Sequence, residues 1–276
     1  MKYNRSVDFR SAKVAVSDSF AERKATINDC TMPSLLAAIA LLTLCLSSAA
    51  AQEKTVIERP ASQFIVEHDL AKYAADAAKW DSEVAKLSAN NATDGGDDAI
   101  LCLGSSSFRL WDTIAEDMSP YKIVRRAYGG AKYCDLAIHT PKLVEGLQFR
   151  AVMIFIGNDI IGKEKDKTPE EITRLSKIVI DSVRKQRPEA PIFLIAVTPC
   201  PSRFEHWPKI SKANQSLKKL AASETKTFFI ATQTKYLNDQ GQPLPDFFVK
   251  DMLHQNKAGY AIWSGILKDS LNKNLK

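Results

Sequence analysis

The sequence predicts an α/β protein with a single doubly wound domain and a parallel sheet. Three observations carry this. Short, unbroken apolar runs recur at Ile100–Leu103, Ala151–Ile156 and Pro191–Val197, and strands buried on both faces read in this way. Between them lie stretches with helical periodicity, and strands alternating with helices imply crossover units. The runs also end in turn-forming residues, Gly104-Ser105-Ser106-Ser107, Gly157-Asn158-Asp159 and Thr198-Pro199-Cys200-Pro201, at the sheet edge where open α/β folds build their sites.

The chain opens on residues 1–51, predicted to be an N-terminal extension plus signal peptide. Leu35 to Leu46 is apolar and is followed by Ser47-Ser48-Ala49-Ala50-Ala51, an h-region and a small-residue cleavage site that put the mature start at Gln52. The apolar core is short for a membrane span. The expected product is exported, periplasmic or secreted, with no stable membrane span after cleavage; the alternative is an uncleaved anchor. Met32 directly precedes the apolar run and is the expected true start. Otherwise residues 1–31 form an extended n-region carrying Lys2, Arg5, Arg10, Lys13, Arg23 and Lys24.

Residues 52–276 are long enough for one sizeable core. The whole chain has 38 Lys and Arg against 32 Asp and Glu; residues 1–51 take six and four of these, leaving a small positive balance. Its basic residues are scattered, with no basic stripe interleaved with aromatics, so nucleic acid is not an expected partner. Cys102, Cys134 and Cys200 remain after cleavage. They allow at most one disulfide and show no metal-ligand spacing.

In chain order, Leu70, Tyr73, Ala77, Trp80, Val84 and Leu87 form one stripe and predict an N-terminal helical segment over 69–88. Asn90 to Asp98 reads as a polar loop. Ile100–Leu103 is a strand, Tyr121–Ala127 an apolar-leaning stretch ended by Tyr128-Gly129-Gly130, and Ala151–Ile156 a strand. Thr168-Pro169-Glu170-Glu171 starts a helix with an N-cap, a proline at N1 and a capping-box acid; Ile172, Leu175, Val179 and Val183 mark its buried face. A strand over Pro191–Val197, a helix over about Lys209–Ala222, a short strand Thr227–Ile230 and a helix over Lys257–Leu271 complete the pattern.

Chemistry concentrates at four points. Asp251-Met252-Leu253-His254 spaces a carboxylate three residues before a histidine, so the acid can hold one ring nitrogen while the other takes a proton from a nucleophile. No other of the four histidines has an acid so placed. Ser106, on the turn leaving a buried strand, is the candidate nucleophile. Gly129-Gly130 permits a sharp turn with an outward N–H, and Asn158 ends a strand with an amide able to donate to an oxyanion. Singly, each motif has a plainer reading as a turn, a helix cap or a surface pair; together they form an ordered set.

With these blocks in this order, the chain from about Trp80 resembles the SGNH hydrolases, the GDSL-type esterase and lipase superfamily. It is most similar to the branch with Gly-Ser-Ser-Ser followed by an arginine and a tryptophan, here Arg109 and Trp111. The resemblance implies a five-stranded flavodoxin-like sheet, a triad of Ser106, Asp251 and His254, and an oxyanion hole of Ser106 N–H, Gly130 N–H and the Asn158 amide. It implies no metal and no cofactor. Ser105 replaces the family's usual Asp, and Arg125 stands where many members carry an Asn, a difference that bears on how the Gly130 loop is braced.

The expected function is that of an exported serine esterase of short-chain carboxylic esters, including acetyl groups on carbohydrates, so the partner is a small-molecule or glycan ester substrate. Alternatives are a lipase, lysophospholipase or thioesterase of the same fold, a catalytically silent glycan-binding member, and a flavodoxin-like binding domain. The last lacks a Gly-rich phosphate loop leading into a helix. Trp207, read as part of the loop after the fourth strand, is a candidate substrate-binding residue that could stack on a sugar; the alternative is packing against the next helix.

Overall fold

The computed structural model describes residues 69–275. The proposed extension, signal peptide and cleavage site lie outside the described residues. Strands β1 (Ala99–Gly104), β2 (Lys122–Ala127), β3 (Ala151–Phe155), β4 (Ile192–Ile195) and β5 (Thr227–Ile230) form one sheet in the order β2-β1-β3-β4-β5. Every neighbouring pair is parallel, so each connection must cross over, and the helices cover both faces.

Alternation along the strands splits the core in two. Leu101, Leu103, Val152, Ile154, Ile192 and Leu194 face one helical layer. It contains α6 (Tyr133–Val144), α7 (Pro169–Gln186) and α8 (Trp207–Ser223). Ile100, Cys102, Met153, Phe155, Phe193 and Ile195 face the other layer, where α9 (Lys257–Asn274) packs. All 15 residues of β1, β3 and the run Ile192–Ile195 are buried, and all but Gly104 are apolar, which makes these segments readable as strands.

Three expectations need correction. The single helix predicted over 69–88 is broken: after a helical turn at 69–71, α1 (Ala74–Ala78) and α2 (Asp81–Ser88) are separated by bends at Tyr73 and Trp80. Tyr73 N donates to Leu70 O and Trp80 N to Ala77 O, both at 2.9 Å. The bends let the stripe follow the curved surface of the first layer, bringing Trp80 against Tyr128 with ring centroids 5.2 Å apart.

The predicted polar loop after Asn90 holds a helical turn, α3 (Asn91–Asp94). Asn91 is buried there and Nδ2 donates to Lys142 O, Leu143 O and Glu145 O at 3.2, 3.2 and 2.9 Å. These are the carbonyls that a helix C-terminus leaves unpaired. The third correction is α6 itself, since no helix is read from the sequence between Gly130 and Ala151. Pro141 lies inside it and interrupts an otherwise weak pattern, while its position near the last turn limits the cost to one missing N–H bond.

The start of α7 is half as predicted. Thr168 Oγ1 accepts from Glu171 N at 3.1 Å, but the Glu171 carboxylate accepts from Tyr73 OH instead of closing a capping box. Cys102, Cys134 and Cys200 are all free and buried, and burial pushes the Cys134 thiol up to about 12.

Candidate active site

The carboxyl ends of β1 and β3 approach so closely that only glycine fits at position 104, where a Cβ would lie 2.1 Å from Phe155 O. Ser105 N donates to that same carbonyl at 3.1 Å. The chain then makes one helical turn, α4 (Ser106–Arg109), with Leu110 N bonded to Ser106 O at 2.8 Å, and a second turn, α5 (Ile114–Asp117), follows. Phe108 is fully buried and anchors the turn against Phe155 and Trp263. Arg125 closes its far end, Nη1 donating to Arg109 O and Trp111 O at 3.2 Å each. Arg125 therefore braces the serine turn and not the Gly130 loop.

The histidine comes from the segment before α9. Met252 adopts φ 57°, a left-handed conformation that closes a tight turn, with Met252 N bonded to Val249 O and Val249 N to His254 O, each at 2.8 Å. Asp251 folds over this turn. Its Oδ1 accepts from Leu253 N and His254 N, both at 2.9 Å, and its Oδ2 meets His254 Nδ1 at 2.6 Å. Partial desolvation pushes the Asp251 carboxyl upward, but the His254 N–H, the His254 ring and the Leu253 N–H outweigh it and hold the group below the usual carboxylate range. A carboxylate can only accept, so Nδ1 carries the proton and Nε2 presents its lone pair. Nε2 lies 2.9 Å from Ser106 Oγ. The structure thus brings Ser106, His254 and Asp251 into one hydrogen-bonded chain across 148 residues of sequence.

The sequence model of the GDSL-like Lipase/Acylhydrolase family matches residues 91–262, a span from α3 into α9 that includes all three groups. The chain belongs to this family. It is accordingly a hydrolase of ester bonds, of the SGNH superfamily, and its five-stranded parallel sheet has the corresponding fold. Three solved structures illustrate the likeness. A protein from Streptococcus pneumonia named for platelet activating factor is 23% identical, with a TM-score of 0.59 over 78% of this chain and 100% of its own. A GDSL-like lipase from Bacteroides thetaiotaomicron is 17% identical, with a TM-score of 0.57 over 72% of this chain and 98% of its own. The acetyl xylan esterase AlAXEase is 17% identical, with a TM-score of 0.53 over 63% and 99%. No curated protein matches the sequence.

For a GDSL-like hydrolase the loops after β2 and β3 flank the serine. Gly130 takes φ +76° in the first, beneath Trp80, whose ring a Cβ would meet at 3.6 Å. Asn158, half-buried in the second, donates from Nδ2 to Ala131 O at 3.1 Å and so ties the two loops together. Ser106, Asn158, His254, Val197, Phe248 and Leu253 are among the residues lining one open cleft. Gly130 and Trp207 do not line it. Trp207 opens α8 and is not a loop residue; half-buried, it packs on the first-layer core and lies parallel to Phe204, 6.4 Å away. The packing alternative describes its surroundings.

Two contributors, Arg203 and Tyr260, went unread in the sequence, and a third, Arg125, was expected at the Gly130 loop. Arg203 reaches the cleft from the 3₁₀ helix Pro201–His206, Arg125 caps the serine turn, and Tyr260 OH donates to Ser107 O at 2.8 Å. The available signal for Arg203 was its place on a segment leaving the carboxyl edge of a strand. Among the described residues no group of three or more His, Cys, Asp or Glu is placed to hold a metal ion.

Asp159 stands apart from this cleft chemistry. It is 4% exposed and accepts from Tyr133 N at 3.3 and 3.2 Å. Burial raises its pKa to about 7, against the Tyr133 N–H and the Lys132 and Lys167 charges, which lower it. A carboxyl raised in the folded state binds a proton that the unfolded chain has already lost, so its contribution falls as pH rises from about 4 to about 7 and stays low above. Asp159→Asn should therefore raise the melting temperature at pH 8 while changing little at pH 4.5. Equal shifts at both pH values, measured by thermal unfolding, would remove the buried charge as the cause.

Proposed function

We propose that this hydrolase is an exported serine esterase acting on short-chain carboxylic esters, acetyl groups on carbohydrates among them. The observation that carries the proposal is the chain Asp251–His254–Ser106, opening into a cleft of modest size. In the reaction, Ser106 Oγ bonds to the ester carbonyl carbon as His254 Nε2 takes its proton, and Asp251 stabilises the resulting imidazolium. Ser106 N–H, Gly130 N–H and the Asn158 amide hold the tetrahedral oxyanion. Collapse breaks the bond to the alkoxide, which leaves with the proton from His254. Water then loses a proton to His254 as it attacks the acyl-enzyme, and the acid departs as Ser106 recovers its own.

The small cleft, walled by Val197, Phe248 and Leu253, supports short acyl groups over long ones. The fold similarity to AlAXEase, an acetyl xylan esterase by name, supports a sugar acetate. Export rests on the apolar segment and cleavage site of residues 1–51; among the described residues no helix is long and apolar enough to cross a membrane.

A panel of nitrophenyl esters and acetylated sugars tests the reading. Hydrolysis of nitrophenyl acetate and butyrate should exceed that of the octanoate at equal concentration, with acetate released from acetylated xylan or glucose. Preference for the octanoate would redirect the assignment to a lipase-like activity, and no hydrolysis across the panel would remove the esterase reading.

A further inference from the structure

Arg203 turns back from its 3₁₀ helix toward the end of β3. Nη1 donates to Gly157 O at 2.5 Å and Nη2 to Asn158 Oδ1 at 3.0 Å. The same Asn158 donates from Nδ2 to Ala131 O at 3.1 Å. An asparagine amide is almost symmetrical in shape, so sterics alone do not fix which end is oxygen. Chemistry does so here. A guanidinium can only donate and a backbone carbonyl can only accept, so the side chain held between them has one satisfactory orientation. That orientation leaves the second Nδ2 hydrogen for the cleft. A flipped amide would turn an acceptor toward a developing negative charge.

We propose that Arg203 is a positioning residue for the oxyanion hole, selecting the productive orientation of the Asn158 amide and locking the Gly157–Asn158 segment through Gly157 O. This rests on the reading of Asn158 as an oxyanion donor. Backbone bonds place the same helix against the histidine turn, since Ser202 N donates to Met252 O at 3.0 Å. A single short helix thereby steadies both the donor and the base. Its guanidinium also lines the cleft, and a preorganised charge needs no rearrangement when a reaction occurs.

A double-mutant cycle on neutral nitrophenyl acetate decides the matter, with thermal melts to confirm folding. Asn158→Ala should lower kcat by about a hundredfold. Arg203→Met should lower kcat by about tenfold to a hundredfold with KM little changed, and Arg203→Lys, which keeps a donor-only end, should recover part of the loss. In the Asn158→Ala background, Arg203→Met should cost less than about threefold, because the group it positions is gone. Should Arg203→Met fail to fold, Arg203→Lys carries the same cycle.

Equal losses in the two backgrounds would overturn the proposal. So would an effect confined to KM, or one seen only on an acyl group bearing a carboxylate, which would make Arg203 a substrate anchor. If Asn158→Ala itself leaves kcat intact, the oxyanion reading fails first, and that result is distinct from a failed coupling.

Discussion

Ser106→Ala and His254→Ala should each lower turnover by about a millionfold, and the two together by little more than either alone, as expected of groups that act as a unit. The hydrogen bond between them explains why. With Nε2 at 2.9 Å from Oγ, the serine has a base only through His254, and the histidine has a proton to take only from Ser106. The remaining rate over water would come from binding and from the oxyanion donors, which neither substitution touches. Phe108, Arg125 and Tyr260 hold the serine turn through backbone and packing, so Ser106→Ala should leave the melting temperature close to that of the parent. Steady-state turnover of nitrophenyl acetate measures all three variants. A His254→Ala protein within tenfold of the parent would show that another group serves as base.

Asp251→Asn should cost about ten-thousandfold in kcat, comparable with the same change in other Ser-His-Asp triads. The local backbone makes the reason specific. Oδ1 already accepts from Leu253 N and His254 N at 2.9 Å, and an introduced amide would keep its oxygen on those two donors. Its NH₂ would then face Nδ1, forcing that nitrogen to become the acceptor. The proton would move to Nε2 and point at Ser106, leaving no lone pair to receive the hydroxyl proton. A variant within about tenfold of the parent between pH 6 and 9 would show that Asp251 serves the turn and not the tautomer.

Much of this could be read from the chain because its signals are local. The buried strands are continuous apolar runs, and parallel strands covered on both faces have no other way to be written. The site motifs sit directly after those runs, so finding the strands also located Ser106 and Asn158, while the tight Asp251–His254 spacing needs only one turn to act. What stayed hidden depends on distant partners. The breaks at Tyr73 and Trp80 answer to the curvature of a layer formed much later in the chain. Asn91 is buried by carbonyls 51 to 54 residues away, and nothing in its neighbours marks it as a cap. Helix α6 was obscured by Pro141, whose cost depends on its place in the last turn. Arg203 resembles any surface arginine until Asn158 is placed beside it.

The last helix gives the molecule an order of events. Tyr260 and Trp263 of α9 form the aromatic floor with Trp111, Phe108 and Phe155 beneath the serine. Asn256, at the start of α9, caps it two residues after the histidine. Ser106, Gly130 and Asn158 therefore enter a growing chain long before His254 and the aromatic floor of α9. A chain made or threaded from its amino end carries a Ser106 without its hydrogen-bond partner until His254 has arrived, so under the proposed mechanism hydrolytic power waits on the segment from Asp251 into α9.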